Sequence, residues 1–163
     1  RAYHVLLSDY LVERARPVAA VEGTHPRVHA KAMTEIRTVE SASAPRAIGP
    51  YSQAIAHGTV LYCSGQLPLD PSTGELVKLD LGDQTRRCLE NLEAVCQAAG
   101  TSLRRALRLT VYTTELARFG EINEAYEGFF AELGGHAPAR AAVGVAALPR
   151  GAAIEIDAIV ALA

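Results

Sequence analysis

Near the C-terminal end of the sequence, Arg140 and Glu155 stand in apolar runs that periodicity alone does not explain. Arg140 opens a strand within Pro138-Ala139-Arg140-Ala141-Ala142-Val143. An arginine beside a proline at a strand start is either a solvated edge residue or a planar fork aimed at a carboxylate or phosphate, and spacing leaves both open. Glu155 lies in Ile154-Glu155-Ile156-Asp157-Ala158-Ile159-Val160, where the alternate apolar residues share one strand face and put Glu155 and Asp157 on the other. Two acids on a wet face are common, and a carboxylate near an arginine is also what acid–base work on a small molecule requires. Gly49-Pro50-Tyr51-Ser52-Gln53 is a turn whose Tyr51 either lines a pocket or lids the core. Gly65 ends a strand with no side chain to keep a ligand from the backbone. Asn123 sits early in a helix, where local backbone bonding is its ordinary role.

Several chemistries have no support. The sequence lacks a phosphate-cradling glycine loop, a metal-ligand cluster and a serine in a strand–turn–helix elbow. The net charge of −2 speaks against a dedicated nucleic-acid or anionic-membrane binder. Arg104, Arg105 and Arg108 form only a local cluster, so no nucleic-acid partner is expected. No apolar run approaches the roughly 18 residues of a membrane-spanning helix. Cys63, Cys88 and Cys96 sit in apolar contexts and read as reduced core thiols of a cytoplasmic protein.

These side chains need a frame. Thr59–Ser64 is β-branched and aromatic, the mark of a strand, and Asp70-Pro71-Ser72-Thr73-Gly74 is a strong turn. Asp83 is placed to cap a helix whose apolar residues Cys88, Leu89, Leu92, Val95, Cys96 and Ala99 recur at helical spacing, with Gly100 as its stop. Leu107–Thr114 alternates as a half-buried strand. A second helix carries Ile122, Tyr126, Phe129, Phe130 and Leu133 on one side and ends at Gly134-Gly135. Strands over Arg140–Ala146 and Ala153–Ala161 close the chain. The expected fold is α+β, a single mixed sheet with two helices packed on one face.

Residues 1–32 differ from the rest. They carry five Lys/Arg against three Asp/Glu and hold His4, His25 and His29. We read them as an N-terminal extension of uncertain origin, appended to a domain spanning 33–163. Pro26 breaks the helical register between His25 and His29, which argues against a metal site there.

Several segments occur in a telling order: Ala47–Ala54, Ser64-Gly65-Gln66 followed by Asp70–Gly74, Asn123–Phe130, Pro138-Ala139-Arg140, and Leu148–Ala158. In that order and at those separations, over Glu35–Leu162, the sequence resembles the RidA/YjgF family of reactive-intermediate imine deaminases. The resemblance implies a chorismate-mutase-like fold assembled as a homotrimer with clefts between subunits. It implies hydrolysis of enamine and imine acids, such as 2-aminoacrylate and 2-iminopropionate, to 2-keto acids and ammonia, without metal or organic cofactor. Arg140 then matches the arginine that forks onto the substrate carboxylate, and Glu155 the acid that activates or orients water. Tyr51, Asn123 and Gly65 match pocket positions. Ala142 stands where many members carry cysteine; it excludes thiol chemistry there and leaves a backbone role. Asp157 replaces a second glutamate common in the last strand. A non-catalytic sensor of small carboxylates, or a protein-interaction module on the same trimer, is the alternative.

Overall fold

The computed structural model describes residues 35–162. The expectations for residues 1–32, the His25/His29 pair included, lie outside the described residues. Eight principal elements follow in order: β1 (Ile36–Val39), β2 (Ala54–His57), β3 (Val60–Gln66), α1 (Leu81–Ala98), β4 (Ala106–Thr113), α2 (Phe119–Leu133), β5 (Ala139–Gly144) and β6 (Ile154–Ala161).

The strands form one sheet in the order β1-β2-β3-β6-β4-β5. Every neighbouring pair is antiparallel except β4 and β5, which are joined through α2 and run parallel. A parallel pair needs a crossover long enough to return the chain to the same end, and α2 supplies it. The last strand is inserted between β3 and β4, so its two flanks are both paired.

Alternation decides which face is covered. In β6, Ile154, Ile156, Ala158 and Val160 are buried, while the residues between them are only partly covered. Leu109, Val111 and Thr113 of β4 are buried on the same face, opposite Ala158, Ile156 and Ile154. Against this face pack Cys88, Leu89, Leu92, Val95 and Cys96 of α1 with Ile122, Tyr126, Phe129 and Phe130 of α2, all in one continuous core. Leu89, Leu92 and Val95 are fully buried, each worth about 1.5–3 kcal/mol of apolar transfer. Among the described residues no helix lies over the other face, and Tyr62 remains 48% exposed and Val143 41% exposed there. This is the expected α+β layering.

Local signals were mostly placed as read. Gly100 and Gly134 lie just past the two helix ends with φ of +81° and +74°, the left-handed conformation that ends helices cheaply. All three cysteines are buried free thiols. Asp70 Oδ1 accepts from the backbone N–H groups of Ser72 at 2.8 Å and Thr73 at 3.0 Å, which tightens the turn. Two features differ. The helix cap expected at Asp83 falls on Asp80, whose carboxylate accepts from Asp83 N–H at 2.9 Å. Leu81 is fully buried and pulls the helix start three residues earlier, leaving Asp83 in the first turn, where its charge faces the positive helix end. Strands β1 and β2 are additions that alternation did not signal.

Candidate active site

Glu155 lies in the well-paired interior of the sheet, on the face opposite α1 and α2. It is directly opposite Tyr112 of β4, and Asp157 is opposite Thr110. On the other flank, β3 carries a bulge: Cys63 pairs with Ala158 and Gln66 with Ile156, so Ser64 and Gly65 together oppose Asp157. Such bulges re-aim side chains beside sites. Here the bulge brings the Gly65 backbone under the Glu155 side chain. A Cβ added at Gly65 would lie 2.8 Å from Glu155 Cδ and 3.0 Å from Cγ, closer than carbon atoms pack. The absent side chain at position 65 is therefore the space that the glutamate occupies.

The same corner holds Tyr51. Ser64 donates its hydroxyl to the Ser52 carbonyl at 2.7 Å, and Ser64 N–H donates to Gln53 O at 3.0 Å. This ties the Tyr51 loop to the bulge. Tyr51 itself is 46% exposed, and its hydroxyl accepts only a long bond from Ile48 N–H at 3.4 Å, so it is a rim residue and not a lid on the core. Partial burial, then the neighbouring Asp157 charge, raises the Glu155 carboxyl above the usual carboxylate range. Asp157 is held by Tyr112, whose hydroxyl donates to Oδ2 at 3.1 Å. A carboxylate raised in this way exchanges protons more readily near neutral pH, as a general acid–base group must.

Arg140 belongs to a second cluster. Strand β5 pairs Arg140 with Leu109 and Ala142 with Val111, and residues paired in a parallel ladder share a face. Both therefore point to the helix side of the sheet, at its edge. There the Arg140 guanidinium sits over α2, 4.7 Å from the Tyr126 ring centroid and 5.1 Å from that of Phe119. Its Nη2 donates to Asn123 Oδ1 at 2.8 Å. Among the described residues no carboxylate makes an ion pair with it. Asn123, Tyr126, Phe130, Pro138 and Arg140 border a cavity of about 640 Å³. Burial raises the Tyr126 hydroxyl to about 12 against the opposing pull of Arg140, and the oxygen has no hydrogen-bond partner among the described residues.

The six residues singled out in the sequence thus fall into two groups. Tyr51, Gly65 and Glu155 gather at the β3–β6 bulge; Asn123, Arg140 and Ala142 gather at the β5 edge. Within one chain the two groups are not brought together. They lie on opposite faces of the sheet, with β4 between β5 and β6. Sequence reasoning overlooked Phe119 as a site residue and treated Tyr126 only as core. The spacing Phe119, Asn123, Tyr126 was the available signal, since residues four and three apart line one helix face.

The chain matches the family described as Endoribonuclease L-PSP over residues 41–162. A Sinorhizobium fredii protein named RutC family protein y4sK is 46% identical over 127 residues, covering 78% of this chain and 98% of that one. The 2-iminobutanoate/2-iminopropanoate deaminase of Salmonella typhimurium is 42% identical over 123 residues, covering 76% of this chain and 95% of the relative. The crystal structure of E. coli TdcF with bound serine has a TM-score of 0.75 at 42% identity, covering 78% of this chain and 99% of that one. Motif order, fold and relatives agree, and the chain belongs to the RidA/YjgF family.

Proposed function

We propose that this protein hydrolyses small 2-imino acids and their enamine tautomers to 2-keto acids and ammonia, in clefts between the subunits of a homotrimer. The observation that carries the reading is the state of Arg140. One edge of its fork is held by Asn123, its face rests on two rings, and no internal acid neutralises it among the described residues. A guanidinium so prepared fits an external carboxylate bidentately. The serine bound to the E. coli relative is such a carboxylate.

The chemistry asks little more. A protonated imine is already electrophilic, so fixing its carboxylate and delivering water supplies most of the catalysis. The Glu155 carboxylate takes a proton from water as the oxygen adds to the imine carbon. Protonated Glu155 returns that proton to the nitrogen of the carbinolamine, and the carbon–nitrogen bond breaks as the hydroxyl gives up its proton, leaving the ketone, ammonium and the regenerated carboxylate. Tyr51 borders the water side, and Ala142 offers its backbone beside the carboxylate. Residues 33–163 would form the catalytic domain, with 1–32 appended to it.

The geometry of the two groups supports an assembly of copies, and the family resemblance points to three. Arg140 and Glu155 are separated by the sheet itself, so a single small substrate can meet both only if one comes from another copy. The test couples the protein to a serine or threonine dehydratase and follows keto-acid release. The parent protein accelerates release and Arg140→Ala abolishes the acceleration. Binding of 2-keto acids with no turnover of any imino acid would instead support a carboxylate sensor. RNA cleavage, suggested by the family's description, finds less support: Arg105 of the basic cluster already donates to the carbonyls of Ala161 and Leu162.

A further inference from the structure

We infer that Phe119 and Tyr126 are positioning residues for Arg140, forming with Asn123 a helix-borne cradle that fixes the carboxylate clamp; the inference rests on the deaminase reading and extends it. The three residues sit at positions 119, 123 and 126 of α2, one stripe of a single helix face. The stripe offers ring, amide oxygen, ring. Arg140 on the neighbouring edge strand lies across it, with its guanidinium carbon 5.1 Å and 4.7 Å from the two ring centroids and Nη2 bonded to the amide between them at 2.8 Å.

The arrangement does three things for a long, flexible side chain on an otherwise exposed edge. The rings attract the cation through their π faces, which pays nothing in neutralised charge because no acid is used. The amide oxygen fixes rotation about the guanidinium plane, so one N–H edge is spoken for and the other makes no hydrogen bond among the described residues. Rotamer freedom is lost on folding and not on binding, which is how preorganisation raises affinity. An acid in place of Asn123 would hold the arginine as well, but it would compete with the substrate carboxylate. The buried Tyr126 hydroxyl, without a partner among the described residues, has no place in this role; the ring does the positioning.

The experiment compares Phe119→Leu, Tyr126→Leu and Tyr126→Phe with the parent, as full chains. One readout is calorimetric binding of 2-oxobutanoate, which needs no turnover; the other is kcat and KM for imine hydrolysis. Phe119→Leu and Tyr126→Leu each weaken 2-oxobutanoate binding and raise KM by about three- to fivefold, the scale of a cation–π contact to an exposed arginine, while kcat changes less than twofold. Tyr126→Phe stays within twofold of the parent, because the ring is kept. In the parent, the Arg140 Nε–H resonance is shifted by the rings and moves towards the free-arginine position in both leucine variants. Phe119 is only partly buried, so Phe119→Leu carries the test alone if Tyr126→Leu does not fold. Folded leucine variants that bind and turn over like the parent overturn the cradle, as does a Tyr126→Phe loss equal to that of Tyr126→Leu. A parent that binds 2-oxobutanoate but hydrolyses no imine overturns the deaminase reading and leaves the cradle standing; a parent that binds no keto acid overturns both.

Discussion

Replacing Gly65 with alanine isolates the placement of the Glu155 carboxylate from its chemistry. The new Cβ would start 2.8 Å from Glu155 Cδ and 3.0 Å from Cγ. Carbon contacts relax to about 3.5–4.0 Å, so the carboxylate has to retreat by roughly 1 Å. A misplacement of that size at a reacting group costs on the order of 10²-fold in rate, about 2.7 kcal/mol on the barrier. The fold loses little, because what yields is the end of a flexible, half-buried side chain and the backbone at Gly65 does not adopt a left-handed φ. The thermal midpoint should shift by no more than about 4 °C, equivalent to roughly 1 kcal/mol. The assay is steady-state hydrolysis of 2-iminobutanoate generated in situ, with thermal unfolding of the same samples. A cycle with Glu155→Ala sharpens it: with the carboxylate gone, Gly65→Ala should add less than about twofold, the mark of two coupled sites. If Gly65→Ala alone keeps kcat/KM within threefold of the parent, the reasoning about carboxylate placement is wrong.

Three further outcomes follow from the structure. Because the folded Glu155 carboxyl titrates above its ordinary value, the folded state binds more protons than the unfolded one between those two values, and stability falls as pH rises through that window; Glu155→Gln should therefore unfold at a higher temperature than the parent at pH 7 and show no gain at pH 4. If ionised Glu155 activates water, kcat/KM falls as pH drops through the raised value, and Asp157→Asn, which removes the second cause of the shift, should move that acid limb to lower pH in a pH–rate profile. Asp80→Ala should cost about 1 kcal/mol in urea unfolding as a lost helix cap, while Asp83→Ala, which loses only a charge near the helix start, should cost about half as much or less.

Much of this architecture could be read before any coordinates. Whereas β5 buries no residue and is marked only by its small apolar run after Pro138, the two helices and strands β3, β4 and β6 announce themselves by periodicity, because each buries one face on a continuous core. Strands β1 and β2 do not, since four-residue segments such as Ile36–Val39, with Ile36 70% exposed, are too short and too wet to alternate visibly. Asp83 looked like a cap because it precedes the clearest apolar run, whereas the buried Leu81 set the true start. Arg140 is an exposed edge residue, as one of its two readings had it, and it is also held by rings and an amide. Its relation to Glu155 was hidden for a deeper reason. Side-chain parity within each strand is legible, but which faces of two strands coincide depends on a register and a parallel pairing formed across α2. Phe119 was missed because a lone aromatic at a helix start looks like core. Only the arginine lying over it reveals another use.

The central claim is that Arg140 of one copy and Glu155 of another act on one substrate. Co-expressing Arg140→Ala and Glu155→Gln chains under two different tags, and purifying through both, isolates mixed oligomers. In a cyclic trimer each mixed assembly keeps one intact cleft, so imine hydrolysis should return to about one third of the parental rate, although either variant alone is inactive. Mixed oligomers as inactive as the separate variants would contradict the account.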